Sequence, residues 1–359
     1  MSLSQKVGGN EHLITLGPRA LKTGIAVAIS LYICAYFGLE PAIFAGVAAI
    51  FTIQPSIYRT WRQMLDQFIT NSLGAIIAMF ALIFIGNNPV IIGLILIIVI
   101  LVCVKFKMET NVISLTMVTV LAIMSAPGNE DWLFALNRFL IILIGMVTGF
   151  TINLLILPPK FNTNYYQKSK DAFNKLSLLL RTAISNELTE KTFRENWDSL
   201  QKDLQKLEEL YKMFDEERSK MSKVNRLNVR EIVVFKQMLK TLQQGEKVLE
   251  LIEEHYFQSK SNEDEDKLFD HYLEQLIKCH EYYLLKYEGK IKEGDIHTVT
   301  IHEEELKLFL DSLVDSYKND SEQKVRILAV GFSIFEYAFQ LQRLNHLLEN
   351  YLRKETVSS

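Results

Sequence analysis

Residues 67–104 read QFITNSLGAIIAMFALIFIGNNPVIIGLILIIVILVCV, a run without a single charged side chain. A bilayer core of about 30 Å is crossed by about 20 consecutive apolar residues in a helix. The run has roughly twice that length, and the Gly-Asn-Asn-Pro sequence at 86–89 in its middle is typical of a turn. This stretch therefore predicts two membrane-spanning helices joined by a short connection.

The same alternation of uncharged runs and short charged or turn-forming breaks extends over residues 1–160. Two later runs, 110–129 and 132–159, are interrupted only by Arg138. We predict a six-helix transmembrane domain at 1–160, whose first span is an uncleaved anchor. The predicted spans are 18–39, 41–54, 65–85, 90–104, 111–126 and 132–157.

The breaks between the predicted spans differ in their content of Lys and Arg. Basic residues occur in the N-terminal segment, in the Tyr58–Arg62 break, in the Lys105–Lys107 break and at Lys160, whereas the intervening breaks have none. Loops rich in Lys and Arg stay on the cytoplasmic side of a membrane. The alternation predicts a multi-pass protein with both termini in the cytoplasm.

Residues 161–359 are polar and amphipathic, and they predict a cytosolic, all-helical, coiled-coil-like domain. Between positions 197 and 214, apolar residues recur at intervals of three and four residues in turn. This spacing is a heptad seam. The run 327–341 is apolar, but it has only 15 residues and contains Glu336, so we assign it to a buried helix of the bundle. The seam residues are Trp197, Leu200, Leu204, Leu207, Tyr211 and Phe214. Further helices are predicted at 164–185, 225–257, 266–288, 302–318 and 324–353.

Composition and motifs exclude several classes of function. The net charge is −3 and there is no strongly basic patch, which argues against a nucleic-acid partner. The three cysteines are scattered, His302 has no second histidine four residues later, and no glycine-rich phosphate loop occurs. We therefore predict an all-α membrane protein that is not an enzyme and has no cofactor and no metal. The acidic run Glu263–Asp266 is interpreted as a solvated loop.

Arg138 is the charged residue that lies deepest in a predicted span, six residues into the sixth. An intramembrane charge is costly and is a functional candidate. In one interpretation its side chain extends to the outer surface and pairs with Glu130 or Asp131. In the other, its guanidinium binds a carboxylate-bearing substrate through paired hydrogen bonds.

A polar stripe begins near Asp66, at the start of the third predicted span. Asp66 lies one turn after Arg62, with which it can form a surface ion pair. Polar stripes on two spans indicate either a shared water-accessible path or hydrogen bonds between helices. The stripe residues are Gln63, Gln67, Thr70 or Asn71, and Gly74 on the third span, and Gly145, Gly149 and Asn153 on the sixth.

Small residues recur at four-residue spacing in several spans, and such rows allow helices to pack closely in lipid. Close packing is one interpretation, and a cavity lined by these small faces is the other. The rows are Gly24 with Ala28, Ala42 with Gly46 and Ile50, Ala45 with Ala49, and Gly145 with Gly149.

Three segments resemble one family. Residues 52–63 read TIQPSIYRTWRQ and are followed by NSLGA at 71–75, residues 138–145 read RFLIILIG and are followed by Asn153 and Pro158-Pro159, and residues 335–345 read FEYAFQLQRLN. They resemble the bacterial aromatic acid exporter family, within the fusaric acid resistance group, in its Gram-positive branch with a C-terminal helical domain. The resemblance implies a bacterial plasma-membrane exporter of aromatic carboxylic acids that is driven by the proton gradient. Full-length relatives carry two six-helix halves, so one half implies a homodimer or a larger homo-oligomer.

The leading hypothesis is proton-coupled efflux of aromatic carboxylic acids or related organic anions across the lipid bilayer. Arg138 is the candidate for binding the substrate anion, and Asp66 is the candidate for proton coupling. The alternative is a non-transporting membrane protein whose cytosolic helices dock a regulatory or scaffold partner. Further binding or coupling candidates are Arg59, Arg62, Gln67, Asn71 and Asn153, and the helix-packing candidates are Gly74, Gly145 and Gly149.

Overall fold

The computed structural model describes residues 18–125, 131–156, 161–185, 190–221, 229–256, 263–291, 303–319 and 321–358. Every regular element in these ranges is helical, so the all-α prediction is confirmed for the described part of the chain. The chain divides into two compact units, Met1–Pro159 and Lys160–Ser359. The predicted turn at 127–130 and the predicted closing residues 158–160 lie outside the described ranges.

Among its described residues, the first unit contains six apolar helices. Three of them are long and apolar enough to cross a membrane, namely Arg19–Tyr36, Ile57–Phe84 and Leu133–Leu155. The other three are shorter apolar helices of 10 to 17 residues. The helices are α1 (Pro18–Tyr36), α2 (Ile43–Thr52), α3 (Ile57–Phe84), α4 (Pro89–Lys105), α5 (Thr110–Met124) and α6 (Asp131–Leu155).

Helix α3 begins at Ile57, eight residues before the predicted start of the third span. The predicted start of the third span at 65 is therefore wrong, because Tyr58–Arg62 form the first turns of the helix. The hydroxyl of Ser56 caps the helix by accepting a hydrogen bond from the backbone N–H of Arg59, at 3.2 Å. With 28 residues, α3 is about 42 Å long, so a bilayer core of about 30 Å would leave its basic first turns in the polar interface.

Small residues bring helices of the first unit into backbone contact. A side chain added at Gly145 of α6 would collide with the backbone of Ala45 in α2, and one at Gly149 would lie 3.1 Å from the carbonyl oxygen of Ala49. At Gly74 of α3 the close neighbours are side chains, because an added Cβ would lie 2.7 Å from the methyl group of Thr116 in α5. The first-span row behaves differently, because Gly24 and Ala28 are exposed and Gly24 has nothing within 4 Å.

The second unit is a helical bundle with one continuous apolar core. On α8, Leu200, Leu204, Leu207 and Phe214 are buried, and Trp197 and Tyr211 pack against the same core. The heptad seam therefore packs within the chain. The elements are α7 (Phe161–Ser185), α8 (Glu190–Met221), α9 (Val229–Leu251), a π turn (Ile252–Tyr256), α10 (Glu263–Tyr287), α11 (Glu303–Asn319) and α12 (Ser321–Ser358).

Two predictions for the second unit have different outcomes. The run 327–341 lies inside α12, and its residues Ile327, Ile334 and Leu341 are buried in the core, which confirms a buried helix. The acidic run Glu263–Asp266 was predicted as a loop, but it forms the first turn of α10. Acidic residues are favourable there because the N-terminal end of a helix carries a partial positive charge.

Candidate functional site

Arg138 lies in the first half of α6, where this helix packs on the start of α2. Only 2% of the residue is exposed, and its guanidinium carbon lies over the ring of Phe44 in α2. The neighbouring Asn137 holds the two segments together, because its Nδ2 donates a hydrogen bond to the carbonyl oxygen of Glu40 at 2.9 Å. The guanidinium is therefore buried between helices and does not extend to the surface of the unit.

The three guanidinium nitrogens of Arg138 have no hydrogen-bond partner among the described residues. Glu130 lies outside the described ranges, as does the side chain of Asp131, so the predicted pairing with them is not described. A buried charge without a counter-charge is costly, and the Phe44 ring compensates only part of that cost. The guanidinium fork is well suited to bind a carboxylate through two parallel hydrogen bonds.

A second buried cation, Lys22 of α1, lies near the other end of α6. It is 5% exposed, and its Nζ donates to Oδ1 of Asn153 at 3.1 Å. The Nδ2 of Asn153 in turn donates to Oγ1 of Thr60 at 2.7 Å and to the carbonyl oxygen of Gln54 at 3.1 Å. Asn153 thus joins α6 to α1, to the start of α3 and to the α2–α3 connection.

The sequence analysis did not select Lys22 as a candidate and so missed its buried contact with Asn153. The signal that singled out Arg138, a charge inside an apolar helix, also applies to Lys22, which lies one turn inside α1. Its neighbour Arg19 is exposed and donates to the carbonyl oxygen of Ile53 at 3.2 Å. Lys22 and Arg19 look equivalent in the sequence, but Lys22 is buried and Arg19 is exposed.

The polar stripe of α3 is buried and has two different parts. Asn71 is satisfied by its neighbours, because its Nδ2 donates to the carbonyl oxygen of Gln67 at 2.8 Å and its Oδ1 accepts from Thr119 of α5 at 2.7 Å. Nearer the start of the helix, Nε2 of Gln63 and Nε2 of Gln67 are buried and have no partner among the described residues. Hydrogen bonding between helices therefore accounts for the burial of Asn71. It does not account for the buried Nε2 donors of Gln63 and Gln67, which have no partner among the described residues.

Asp66 is not joined to Arg138 by an ion pair in the described structure. Its carboxylate faces Arg62, with 3.8 Å between Oδ2 and Nε, and the two side chains are 19% and 59% exposed. Such a pair contributes little to stability. Arg59 is half-buried in the first turn of the same helix. Arg138, the predicted substrate-binding residue, and Asp66, the predicted proton-coupling residue, therefore lie in different environments. Arg138 is buried against Phe44, whereas Asp66 is partly exposed beside Arg62.

An apolar groove of about 490 Å³ runs between α3 and α6. Its volume is in the range of small-molecule pockets. Neither Arg138 nor Asp66 lines it, although Ala135 and Phe139 are near neighbours of Arg138 on α6. The lining residues are Ser72, Ala75, Ile76, Met79, Phe80, Ile83, Ala135, Leu136 and Phe139.

Comparison with known proteins identifies the family. The family described as "Aromatic acid exporter family member 1" matches residues 14–156, which include all six helices of the first unit. The UPF0421 protein YgaE of Bacillus subtilis is 33% identical over 341 residues, or 94% of this chain and 96% of the relative. The chain belongs to the aromatic acid exporter family. The resemblance seen in its short motifs is thereby confirmed.

Two further relatives match over a shorter length. A UPF0421 protein of Halalkalibacterium halodurans is 32% identical over 168 residues, which is 46% of each chain. A UPF0421 protein of Oceanobacillus iheyensis is 31% identical over 153 residues, or 43% of this chain and 44% of the relative. Membership of this family and the apolar helices indicate a membrane protein with a transport function.

Proposed function

We propose that this exporter-family protein moves small organic anions, in particular aromatic carboxylic acids, out of the cell in exchange for protons. The observation that supports this most is Arg138, a buried cation whose donors have no partner among the described residues. Its guanidinium matches a carboxylate, and the adjacent Phe44 ring and the α3–α6 groove offer apolar surface for an aromatic ring. The family match adds independent support.

We propose six membrane spans in a bacterial plasma membrane, with both termini and the second unit in the cytoplasm. Three helices have the required length, and the shorter apolar helices α2, α4 and α5 contain a single charged residue, Lys105 at the end of α4. The orientation rests on the basic residues Arg59, Arg62, Lys105 and Lys107, which lie at one set of helix ends.

Asp66 is the proposed site of proton coupling. Its carboxylate is largely sheltered and pairs loosely with Arg62, at the end of a buried polar stripe. Protonation would release Arg62 and neutralise this end of α3. A transport cycle could then alternate between an ion-paired and a neutral state of the helix.

A homo-oligomer is the proposed assembly. The described residues of this chain contain one six-helix unit, and the chain matches YgaE over 96% of that relative's length. The exposed row of Gly24 and Ala28 on α1 has no packing partner within the described chain. Small residues at this spacing favour contact between helices in lipid.

Transport by reconstituted protein tests the proposal. Proteoliposomes loaded with 4-hydroxybenzoate should release it when a proton gradient is imposed, and Arg138→Ala should reduce the initial rate at least tenfold. The matched control is Arg181→Ala, which removes an exposed arginine from the second unit. Flux that survives Arg138→Ala unchanged would remove Arg138 from the mechanism, and absence of organic-anion flux in the wild type would refute the function.

An alternative function is docking of a cytosolic partner by the second unit. Helix α12 exposes Phe332, Phe335 and Phe339, which are 54%, 36% and 50% exposed. Exposed aromatic residues on one side of a helix are typical of an interaction surface. A stoichiometric partner that is lost when these three residues are changed to serine, together with no flux in vesicles, would favour this alternative.

A further inference from the structure

Lys22, Asn153 and Thr60 bring three helices together around one buried positive charge. They are 5%, 4% and 0% exposed, and hydrogen bonds of 3.1 Å and 2.7 Å connect them in that order. Among the described residues no carboxylate lies within ion-pair distance of the Lys22 ammonium. The ammonium has three N–H donors, and Asn153 accepts only one of them.

The adjoining face of α3 adds further unused donors. Thr60, Gln63 and Gln67 follow one another at spacings of three and four residues, so they share one side of the helix. Gln63 is 2% exposed and Gln67 is fully buried, and Nε2 of each lacks a partner within the described ranges. A buried donor without an acceptor is unfavourable. The region therefore combines a buried positive charge with two buried amide donors that have no partner among the described residues.

We propose that Lys22, Asn153, Gln63 and Gln67 form a second carboxylate-binding site, separate from Arg138. The carboxylate would take the place of the missing counter-ion of Lys22, and the glutamine amides would donate to its oxygens. The assignment of the ligand as the transported acid rests on the proposed function. The binding site itself rests on the buried charge and the unused donors.

The two cationic sites are too far apart to bind the same carboxylate. Arg138 and Asn153 are 15 positions apart on α6, which is about 22 Å along the helix axis. A benzoic acid with one ring is much shorter than this. One molecule would therefore occupy the Lys22 site and the Arg138 site in turn, or two molecules would occupy them together.

Binding to purified full-length protein in detergent isolates the second site. In an Arg138→Ala background, calorimetry should detect one 4-hydroxybenzoate per chain, and adding Lys22→Gln should weaken binding at least tenfold. Glutamine keeps a hydrogen-bond donor next to Asn153 but removes the charge. The matched control on the same background is Arg19→Gln, three residues earlier on α1 and exposed, which should bind as the background does.

A second variant covers the case in which Lys22→Gln does not fold. Asn153→Asp places a carboxylate beside the Lys22 ammonium, so an internal ion pair should occupy the site and exclude the ligand, with a similar loss of affinity. Equal affinity with and without Lys22→Gln, or no binding in the Arg138→Ala background, would overturn the proposal. Lys22-dependent binding without any flux in wild-type vesicles would refute only the transport function, and flux without Lys22-dependent binding would refute only the second site.

Discussion

The Nζ of Lys22 lies 3.1 Å from Oδ1 of Asn153, although 131 positions separate the two residues in the chain. This contact joins the first helix of the membrane unit to its last. Because Asn153 also donates to Thr60 and to the carbonyl oxygen of Gln54, four segments meet at one amide. Such a junction is important both for the stability of the unit and for the anion site proposed around it.

Replacing Asn153 by Ala should destabilise the membrane unit. The change removes the acceptor of the Lys22 ammonium and the donor to Oγ1 of Thr60 and to the carbonyl oxygen of Gln54. Each buried polar group left unsatisfied costs about 1–3 kcal/mol. Thermal unfolding in detergent measures the effect. Asn137→Ala is the control, since that amide makes a single bond to another segment, to Glu40, and it should cost less than Asn153→Ala. Equal effects of the two changes would contradict the central position of Asn153.

Gly145→Ala should be strongly destabilising, because the added methyl group meets the backbone of Ala45 rather than a flexible side chain. Overpacking of this kind costs about 1–3 kcal/mol or more. Gly93→Ala on α4 is a matched control, because nothing lies within 4 Å of the added atom. Alanine favours a helix over glycine by about 1 kcal/mol, so Gly93→Ala should be neutral or slightly stabilising. Both variants are compared by thermal unfolding, and a harmless Gly145→Ala would show that α2 and α6 are not in contact.

Acid should weaken the second unit through His280. This residue is fully buried, with Nδ1 2.7 Å from the hydroxyl oxygen of Tyr337, and burial lowers its pKa to about 3. An unfolded chain has a histidine pKa of about 6.5 and binds the proton first, so stability is lost as the pH falls from about 6.5 towards 3, by at most about 1.4 kcal/mol per pH unit.

Chemical denaturation of the full-length protein between pH 7.5 and pH 5 measures the contribution of His280. His280→Leu, which cannot titrate, should have a flatter pH dependence than the wild type even if it is less stable overall. His346→Leu removes an exposed histidine from α12 and should keep the wild-type slope. An unchanged slope in His280→Leu would show that other groups cause the acid sensitivity.

Asp66→Asn should make transport independent of the proton gradient while leaving the fold intact. The Arg62–Asp66 pair is partly exposed and 3.8 Å long, so its loss should cost less than about 1 kcal/mol of stability. If Asp66 carries the proton, flux of 4-hydroxybenzoate in vesicles should no longer respond to an imposed pH gradient. A variant that still accelerates when the gradient is applied would show that another group couples protons to transport.

The sequence alone determined the all-helical class, the location of the apolar helices and the family. These properties depend on local patterns, because the length of an uncharged run, heptad spacing and short motifs are all visible in contiguous residues. The start of α3 was misplaced for the same reason. Basic residues such as Arg59 and Arg62 resemble a loop in a hydropathy pattern, whereas the cap at Ser56 continues the helix through them.

Only the tertiary structure decided which charges are buried and what they face. Arg138 packs on Phe44 and Lys22 reaches Asn153, while Arg19, three residues before Lys22, stays exposed. No local pattern distinguishes Lys22 from Arg19, because burial depends on which helix faces pack together. That choice is made by contacts such as Gly145 against Ala45, between residues distant in the chain, and it is the physical origin of both proposed anion sites.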